Sequence, residues 1–212
     1  MRGLRVWAAL IGFVAVVFGG LYLWWDLDVR WRPHVIKAHQ DEIASALQGA
    51  GWVSPSLSGP KLYMIATRDC AACDAYVATE FPKLQKAGVD TRVIMIAPPD
   101  VNGAAKSTPA ERATVAELWV NRNWGLYQSW MSVPAAAWTA PHIPPADGDA
   151  ARTAVIAAGR DLVERLRPLL NASGVKAGYP TLIWWAKNGS LNGCACQAPQ
   201  SDKYIRKDLG AE

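Results

Sequence analysis

Two cysteine pairs carry the residues best suited to chemistry in this sequence: Cys70-Ala71-Ala72-Cys73 and Cys194-Ala195-Cys196. A thiolate is at once a nucleophile, a soft-metal ligand and one half of a disulfide, so each pair opens three kinds of chemistry. The surroundings of the first pair narrow them. Lys61–Thr67 is a short apolar run that reads as a buried strand. Asp74–Lys86 carries Tyr76, Val77, Phe81 and Leu84 at helical spacing, bent at Pro82 and stopped by Gly88. A strand, the cysteine pair and then a helix put the first sulfur at an exposed helix N-terminus. Partial positive charge and free N–H groups there stabilise a thiolate. The second sulfur, one turn further in, is placed to attack a mixed disulfide and release the partner. From the pair alone two other readings stay open: a purely structural disulfide, and half of a zinc site, for which His34, His39 and His142 offer no ligand spacing.

The second pair is placed by its hairpin. Asn188-Gly189 is a strong two-residue turn signal between a strand at Tyr179–Trp185 and a returning strand over Ser190–Cys196. A two-residue turn pairs Lys187 with Ser190. That register sets Cys194 opposite Ile183 and Cys196 opposite Thr181, beside Pro180, with both sulfurs on one face of the sheet. Cys194 and Cys196 are therefore a candidate second redox pair, relaying oxidising equivalents or locking the first site. The alternatives are two small residues filling the sheet, or a disulfide to another protein. A Cys-x-Cys bond is strained and so more readily reduced, and a bulge at Gly193 would shift the register.

The elements that must position these cysteines start outside the soluble part. Val6 to Trp25 is an uncharged run of twenty residues, enough to cross a hydrocarbon core of about 30 Å at about 1.5 Å per residue. Arg2 and Arg5 precede it and Asp26 and Asp28 follow, which orients the N-terminus to the cytoplasm. Trp7 at one end and Tyr22, Trp24 and Trp25 at the other occupy interfacial positions. A cleaved signal peptide has a shorter apolar region and a small-x-small site, neither of which is present, so residues 1–32 read as an uncleaved anchor. Either way the remainder is exported to an oxidising compartment. With 22 Lys+Arg against 18 Asp+Glu in 212 residues and no basic run, nucleic acid is excluded as a partner. Half the residues are apolar, which excludes disorder for the chain as a whole.

Residues 33–60 read as a juxtamembrane amphipathic helix over 33–47 and a Gly/Ser/Pro-rich linker, and residues 61–212 as the domain. Thr91–Ala97 is a second buried strand, closed by Pro98-Pro99. A long helical insert follows at about 103–174. Within it, Thr108-Pro109-Ala110-Glu111 is a capping box that starts a helix running to about Met131. Ala150 to Leu170 is a second helix with Val155, Ile156, Leu162, Val163, Leu166 and Leu169 in phase. Ser201-Asp202 caps a last short helix through Leu209. Trp119, Trp124, Trp130 and Trp138 crowd the insert, as helix-packing residues or as an exposed face for unfolded clients.

At this point the sequence resembles the thioredoxin superfamily. The matching pieces are the strand, Cys70-Ala71-Ala72-Cys73 and helix; the strand at 91–97; and Tyr179-Pro180-Thr181 leading to Lys187-Asn188-Gly189, the hairpin and the final helix. The resemblance covers about residues 60–210. It implies an α/β chain: a thioredoxin fold with a helical insert between its two strand pairs, preceded by one transmembrane helix. It further implies a cis peptide bond before Pro180, which lies against the cysteine pair, and Tyr179, Pro180 and Thr181 holding a client backbone by strand-like contacts. Export, the membrane-proximal segment and the insert are most similar to the periplasmic Dsb group, in particular its DsbC/DsbG branch. The activity implied is thiol–disulfide exchange on exported cysteine-containing proteins, with Cys70 attacking and Cys73 resolving, and isomerase or reductase work favoured over oxidation. Neither cofactor nor metal is required, and a redox partner in the inner membrane is expected.

Several residues depart from the pattern. Met64 stands where thioredoxin has a buried carboxylate, Ala71-Ala72 declares neither oxidase nor isomerase, and Tyr179 replaces the Thr of the DsbC branch. Asp69 and Asp74 disfavour the Cys70 thiolate and Arg68 offsets them, unless all three are solvated. The separate DsbC dimerisation module has no room in residues 33–60. Two rival functions remain: a periplasmic copper- or zinc-binding protein using Cys70, Cys73, Cys194 and Cys196 together, and a thioredoxin-fold accessory of a secretion or conjugation system.

Overall fold

The structure, a computed structural model, describes residues 2–176 and 178–212, with side chains from Gly12 onward. The chain divides into two units, 1–32 and 33–212. The first is helix α1 (Arg2–Leu27) followed by a single 3-10 turn at Val29–Trp31. Gly12–Trp31 is long and apolar enough to span a membrane. Phe13, Val16, Phe18, Leu21, Tyr22 and Trp24 stand exposed around it, a helix apolar all round and without a core of its own. At its end Arg30 pairs with Asp26 and Arg32 with Asp28, and the Arg30 guanidinium lies 4.5 Å from the Trp31 ring centroid. The side-chain placements expected for Arg2, Arg5 and Trp7 lie outside the described residues.

The second unit is built on a five-stranded sheet in the order β1-β5-β4-β2-β3. β2 (Lys61–Thr67) and β3 (Asp90–Ile96) are parallel, joined by a crossover of α3 (Ala71–Thr79) and α4 (Phe81–Lys86). β4 (Thr181–Trp185) runs antiparallel to β2, β5 (Leu191–Cys194) to β4, and β1 (His34–Ile36) to β5. The strands read as continuous apolar runs because both faces are covered. Leu62, Met64, Ala66, Leu182 and Trp184 meet a core that includes Cys73, Phe81, Val115, Trp130 and Ile205. Tyr63, Ile65, Ile94 and Ile183 meet Ile43 and Leu47 of α2 (Gln40–Gly49) and Leu162 and Leu166 of α7 (Ala150–Asn171). Each such apolar side chain contributes about 1.5–3 kcal/mol relative to leaving it exposed. Between β3 and β4 lie α5 (Pro109–Asn121), α6 (Trp124–Met131) and α7; α8 (Asp202–Leu209) closes the chain. This is a thioredoxin fold with a helical insert between its two strand pairs.

Four boundaries differ from the sequence reading, each for a local reason. Residues 33–60 are not a helix and linker separate from the domain. His34–Ile36 completes the sheet by pairing with β5, and Ile36, Ile43 and Leu47 are buried, so the domain begins at Pro33. A three-residue strand is too short to show a period. The helix expected to run from 109 to about 131 breaks at Arg122, which adopts φ 50°, and Asn123 caps α6 by accepting from the Leu126 N–H at 2.9 Å. The helix expected at 74–86 starts earlier, at Ala71, and divides at Glu80, with Pro82 in the first turn of α4. The hairpin loop has three residues, not two. The Ala186 N–H donates to the Ser190 carbonyl and the Gly189 N–H to the Ala186 carbonyl, both at 2.9 Å, with Gly189 at φ +82°. A positive-φ glycine closing a three-residue loop is the alternative use of the same Asn-Gly pair. It moves the register by one, so Cys194 pairs with Leu182 and not with Ile183.

Candidate functional site

Cys70 is the N-cap of α3, between the end of β2 and the first helical turn. Its Sγ accepts the Cys73 backbone N–H at 3.1 Å, the contact an N-cap oxygen usually makes. Cys70 and Cys73 are joined as a disulfide with Cα atoms 5.2 Å apart. Cys70 is 9% exposed and Cys73 1%, so Cys70 is the sulfur a partner meets first. The helix N-terminus and the Cys73 N–H both stabilise a Cys70 thiolate once the bond is opened.

The charges flanking the pair are not all solvated. Asp69 and Asp74 are exposed, but Arg68 is buried and crosses to the insert. Its guanidinium donates to the Trp130 carbonyl at 3.2 Å and to the Val133 carbonyl, and sits 5.6 Å from the Trp130 ring centroid. The end of α6 is thereby tied to the strand that presents Cys70. Partial burial pushes the Asp74 carboxyl above its ordinary range; Arg68 opposes this and Asp69 adds to it. Tyr127 of α6 lies in the same field. Its hydroxyl is pushed well up by burial and further by Asp74, with Arg68 opposing, and it has no hydrogen-bond partner among the described residues. Neither Arg68 as a tether nor Tyr127 as a neighbour was marked by sequence; the crowding of aromatics in the insert was the available signal.

The Tyr179–Pro180 peptide bond is cis. Pro180 and Thr181 are buried, and Thr181 Oγ1 donates to the Gly178 carbonyl at 2.5 Å. Tyr179 is half-buried and packs against both cores. Burial pushes its hydroxyl up, with Arg167 opposing and Glu164 adding. The second cysteine pair lies beside this loop. Cys194 and Cys196 form a disulfide, Cα atoms 5.1 Å apart, and Gln197 Nε2 donates to the Tyr179 carbonyl at 3.1 Å. The one-residue shift of register carries Cys194 onto the sheet face of Leu182, Cys70 and Cys73, and all four cysteines belong to one core cluster. A slip of one residue exchanges faces, which is why the turn decides it. Gln197 was not singled out by sequence; nothing in an exposed Gln after a strand marks it.

The four cysteines do not gather into one ligand set. Each pair closes on itself, and among the described residues no group of three or more His, Cys, Asp or Glu side chains converges. The tryptophans of the insert are packing residues: Trp130 is buried, Trp119 donates to the Met95 carbonyl and Trp138 to Thr114 Oγ1, both at 2.8 Å. Trp184 is buried in β4 and donates to Asp208 Oδ2 at 3.1 Å.

Comparison with protein-family models and with curated proteins finds no match. Among solved structures the chain is similar to BcfH of Salmonella enterica Typhimurium, with a TM-score of 0.55 and 12% identity over 98% of this chain and 92% of that one. ScsC of Proteus mirabilis in a compact conformation aligns with a TM-score of 0.44 and 11% identity, over 98% and 96%. DsbA of Chlamydia trachomatis aligns with a TM-score of 0.33 and 12% identity, over 64% and 80%. At 12% identity what the chain shares with BcfH is the fold.

Proposed function

We propose that this chain is a membrane-anchored thiol:disulfide oxidoreductase, acting on exported cysteine-containing proteins through Cys70 and Cys73. The observation that carries the reading is Cys70 Sγ at the N-cap of α3, receiving the Cys73 N–H. In the reduced enzyme the Cys70 thiolate attacks one sulfur of a client disulfide. A mixed disulfide forms and the client's other sulfur leaves as a thiolate. Cys73 then attacks the Cys70 sulfur, releasing the client thiol and leaving the Cys70–Cys73 disulfide; or the client's own thiolate resolves the bond in a new pairing, which is isomerisation. Tyr179, Pro180 and Thr181 hold the client backbone beside the reacting sulfurs. Asp69 and Asp74 weigh against the thiolate, and a dithiol whose thiolate is less stabilised is the weaker oxidant, so reductase or isomerase work is favoured. The apolar helix of unit 1 supports anchoring in the inner membrane, with Arg2 and Arg5 on the cytoplasmic side, the domain in the periplasm and a membrane redox partner that supplies electrons.

Acid trapping of thiols in intact cells with a bulky maleimide tests this. Cys70 and Cys73 are expected to be trapped reduced, and Cys70→Ser is expected to abolish insulin reduction by the purified protein. Trapping as a disulfide sinks the reductase and isomerase reading, and insulin reduction undiminished in Cys70→Ser sinks the site.

A further inference from the structure

We propose that Cys194 and Cys196 are a second redox site, a switch that covers and uncovers the client-binding edge at Tyr179. The inference rests on the client role given to Tyr179 and Pro180 above. Three observations converge on it. An extended strand spaces residues i and i+2 by about 6.4–6.8 Å, whereas the Cα atoms of Cys194 and Cys196 are 5.1 Å apart. β5 ends at Cys194, and the Gln197 N–H donates to the Ala195 carbonyl at 3.0 Å, so the chain turns at Cys196 and the disulfide holds the turn. The turn lies against the cis-proline loop. A Cβ placed on Gly178 would stand 3.4 Å from the Ala195 Cβ and 3.5 Å from Gln197 Nε2. Finally, the turn delivers Gln197, whose Nε2 occupies the Tyr179 carbonyl at 3.1 Å. That carbonyl is an acceptor through which a client strand would pair, and with the disulfide closed it is engaged by the chain's own side chain.

A protein dithiol opens the switch. One of its thiolates attacks a sulfur of the Cys194–Cys196 bond, forming a mixed disulfide, while the other cysteine leaves as a thiolate and takes up a proton. The donor's second thiol then displaces the remaining cysteine, so two electrons and two protons pass to the pair and the donor departs as a disulfide. Cys194 and Cys196 are 8% and 6% exposed against 9% for Cys70, so a partner able to reach Cys70 meets similar cover here. Once reduced, residues 194–196 are free to extend alongside 180–182, Gln197 withdraws, and the Tyr179 carbonyl becomes available.

The test uses the full chain in detergent with Cys70→Ser and Cys73→Ser, so that dithiothreitol acts on one disulfide only. Hydrogen exchange at residues 179–181 and 195–198 is followed with the Cys194–Cys196 bond closed and open, together with the anisotropy of a labelled unfolded peptide. Reduction is expected to speed exchange in both segments and to tighten peptide binding about threefold to tenfold, the worth of one released hydrogen bond. Gln197→Ala in the oxidised protein is expected to give the same gain, with reduction adding nothing further. Unchanged exchange, weaker peptide binding on reduction, or gains from Gln197→Ala and reduction that add would each overturn the switch. Faster exchange with no peptide bound in any form would instead overturn the client role of Tyr179 and leave the loop switch standing.

Discussion

Arg68 shows how a single side chain ties the reactive pair to the insert. Removing it takes one donor from the Trp130 carbonyl in the last turn of α6, which keeps the Val133 N–H, and leaves the Val133 carbonyl just beyond the helix without its donor. A buried acceptor left unpaired costs about 1–3 kcal/mol. Arg68→Met is therefore expected to lower the thermal midpoint, and Arg68→Lys to recover only part of the loss, because an ammonium lacks the fork that reaches both carbonyls. A full recovery by Lys in a thermal melt would contradict the tether. Asp202 carries a different kind of consequence. Burial raises its carboxyl to about 6, with Glu80 adding and Arg206 and Lys83 opposing. Below the ordinary value of 3.8 both folded and unfolded chains hold the proton, so Asp202 contributes nothing. Between about 3.8 and about 6 only the folded chain holds it, so this contribution to stability falls as pH rises, and above about 6 the whole penalty is present. Asp202→Asn is expected to raise the denaturation midpoint at pH 7 to 8 and to leave it unchanged near pH 3.5, where both side chains are neutral. At this scale sequence marked Cys70, Cys73 and Pro180, whose chemistry announces itself by type and spacing. It did not mark Tyr127 or Gln197, which matter only through neighbours far along the chain.

Among the elements, the β4–β5 hairpin decides the most. Asn188-Gly189 announces a turn, but the same two residues serve a two-residue loop or the end of a three-residue one. Ala186 and Ser190 close the longer loop, Asn188 Oδ1 accepts from the Ser190 N–H at 3.0 Å, and Gly189 takes φ +82°. Strand positions were legible from apolar runs, since β2 and β4 are buried on both faces; register was not, because it turns on one dihedral angle. Gly189→Ala forces a side chain into the left-handed region at roughly 1–2 kcal/mol. A loss of that size in urea unfolding is expected, with disulfide mapping still giving Cys194–Cys196. An unchanged midpoint would mean that the loop tolerates the two-residue turn, and with it the other register. Helix breaks were hidden for a similar reason. Arg122 in the left-handed region and Glu80 at the α3–α4 junction interrupt segments whose composition stays helical on both sides.

For the whole molecule, the question is where the folding unit begins. Apolar spacing marked α2 as amphipathic but gave it nothing to pack against, and three residues of β1 carry no visible alternation. The structure supplies both partners: β1 pairs with the free edge of β5, and Ile43 and Leu47 join Ile65, Ile183, Leu162 and Leu166 in one core. Ile36, Ile43 and Leu47 are each fully buried. At about 1.5–3 kcal/mol apiece they represent a large share of a domain stability of about 5–15 kcal/mol. A chain starting at Pro33 is accordingly expected to fold in solution without detergent and to unfold in one cooperative transition. A chain starting at Pro60 should expose the Ile65–Ile183 face together with an unpaired β5 edge and be recovered as aggregate. Near-ultraviolet circular dichroism separates the cases. Fixed tryptophan signals in the shorter chain would return residues 33–60 to the role of a linker, and their loss would make β1 and α2 the cover of the sheet face opposite the reactive pair, joined to the cis-proline loop through Tyr179, which packs against both cores.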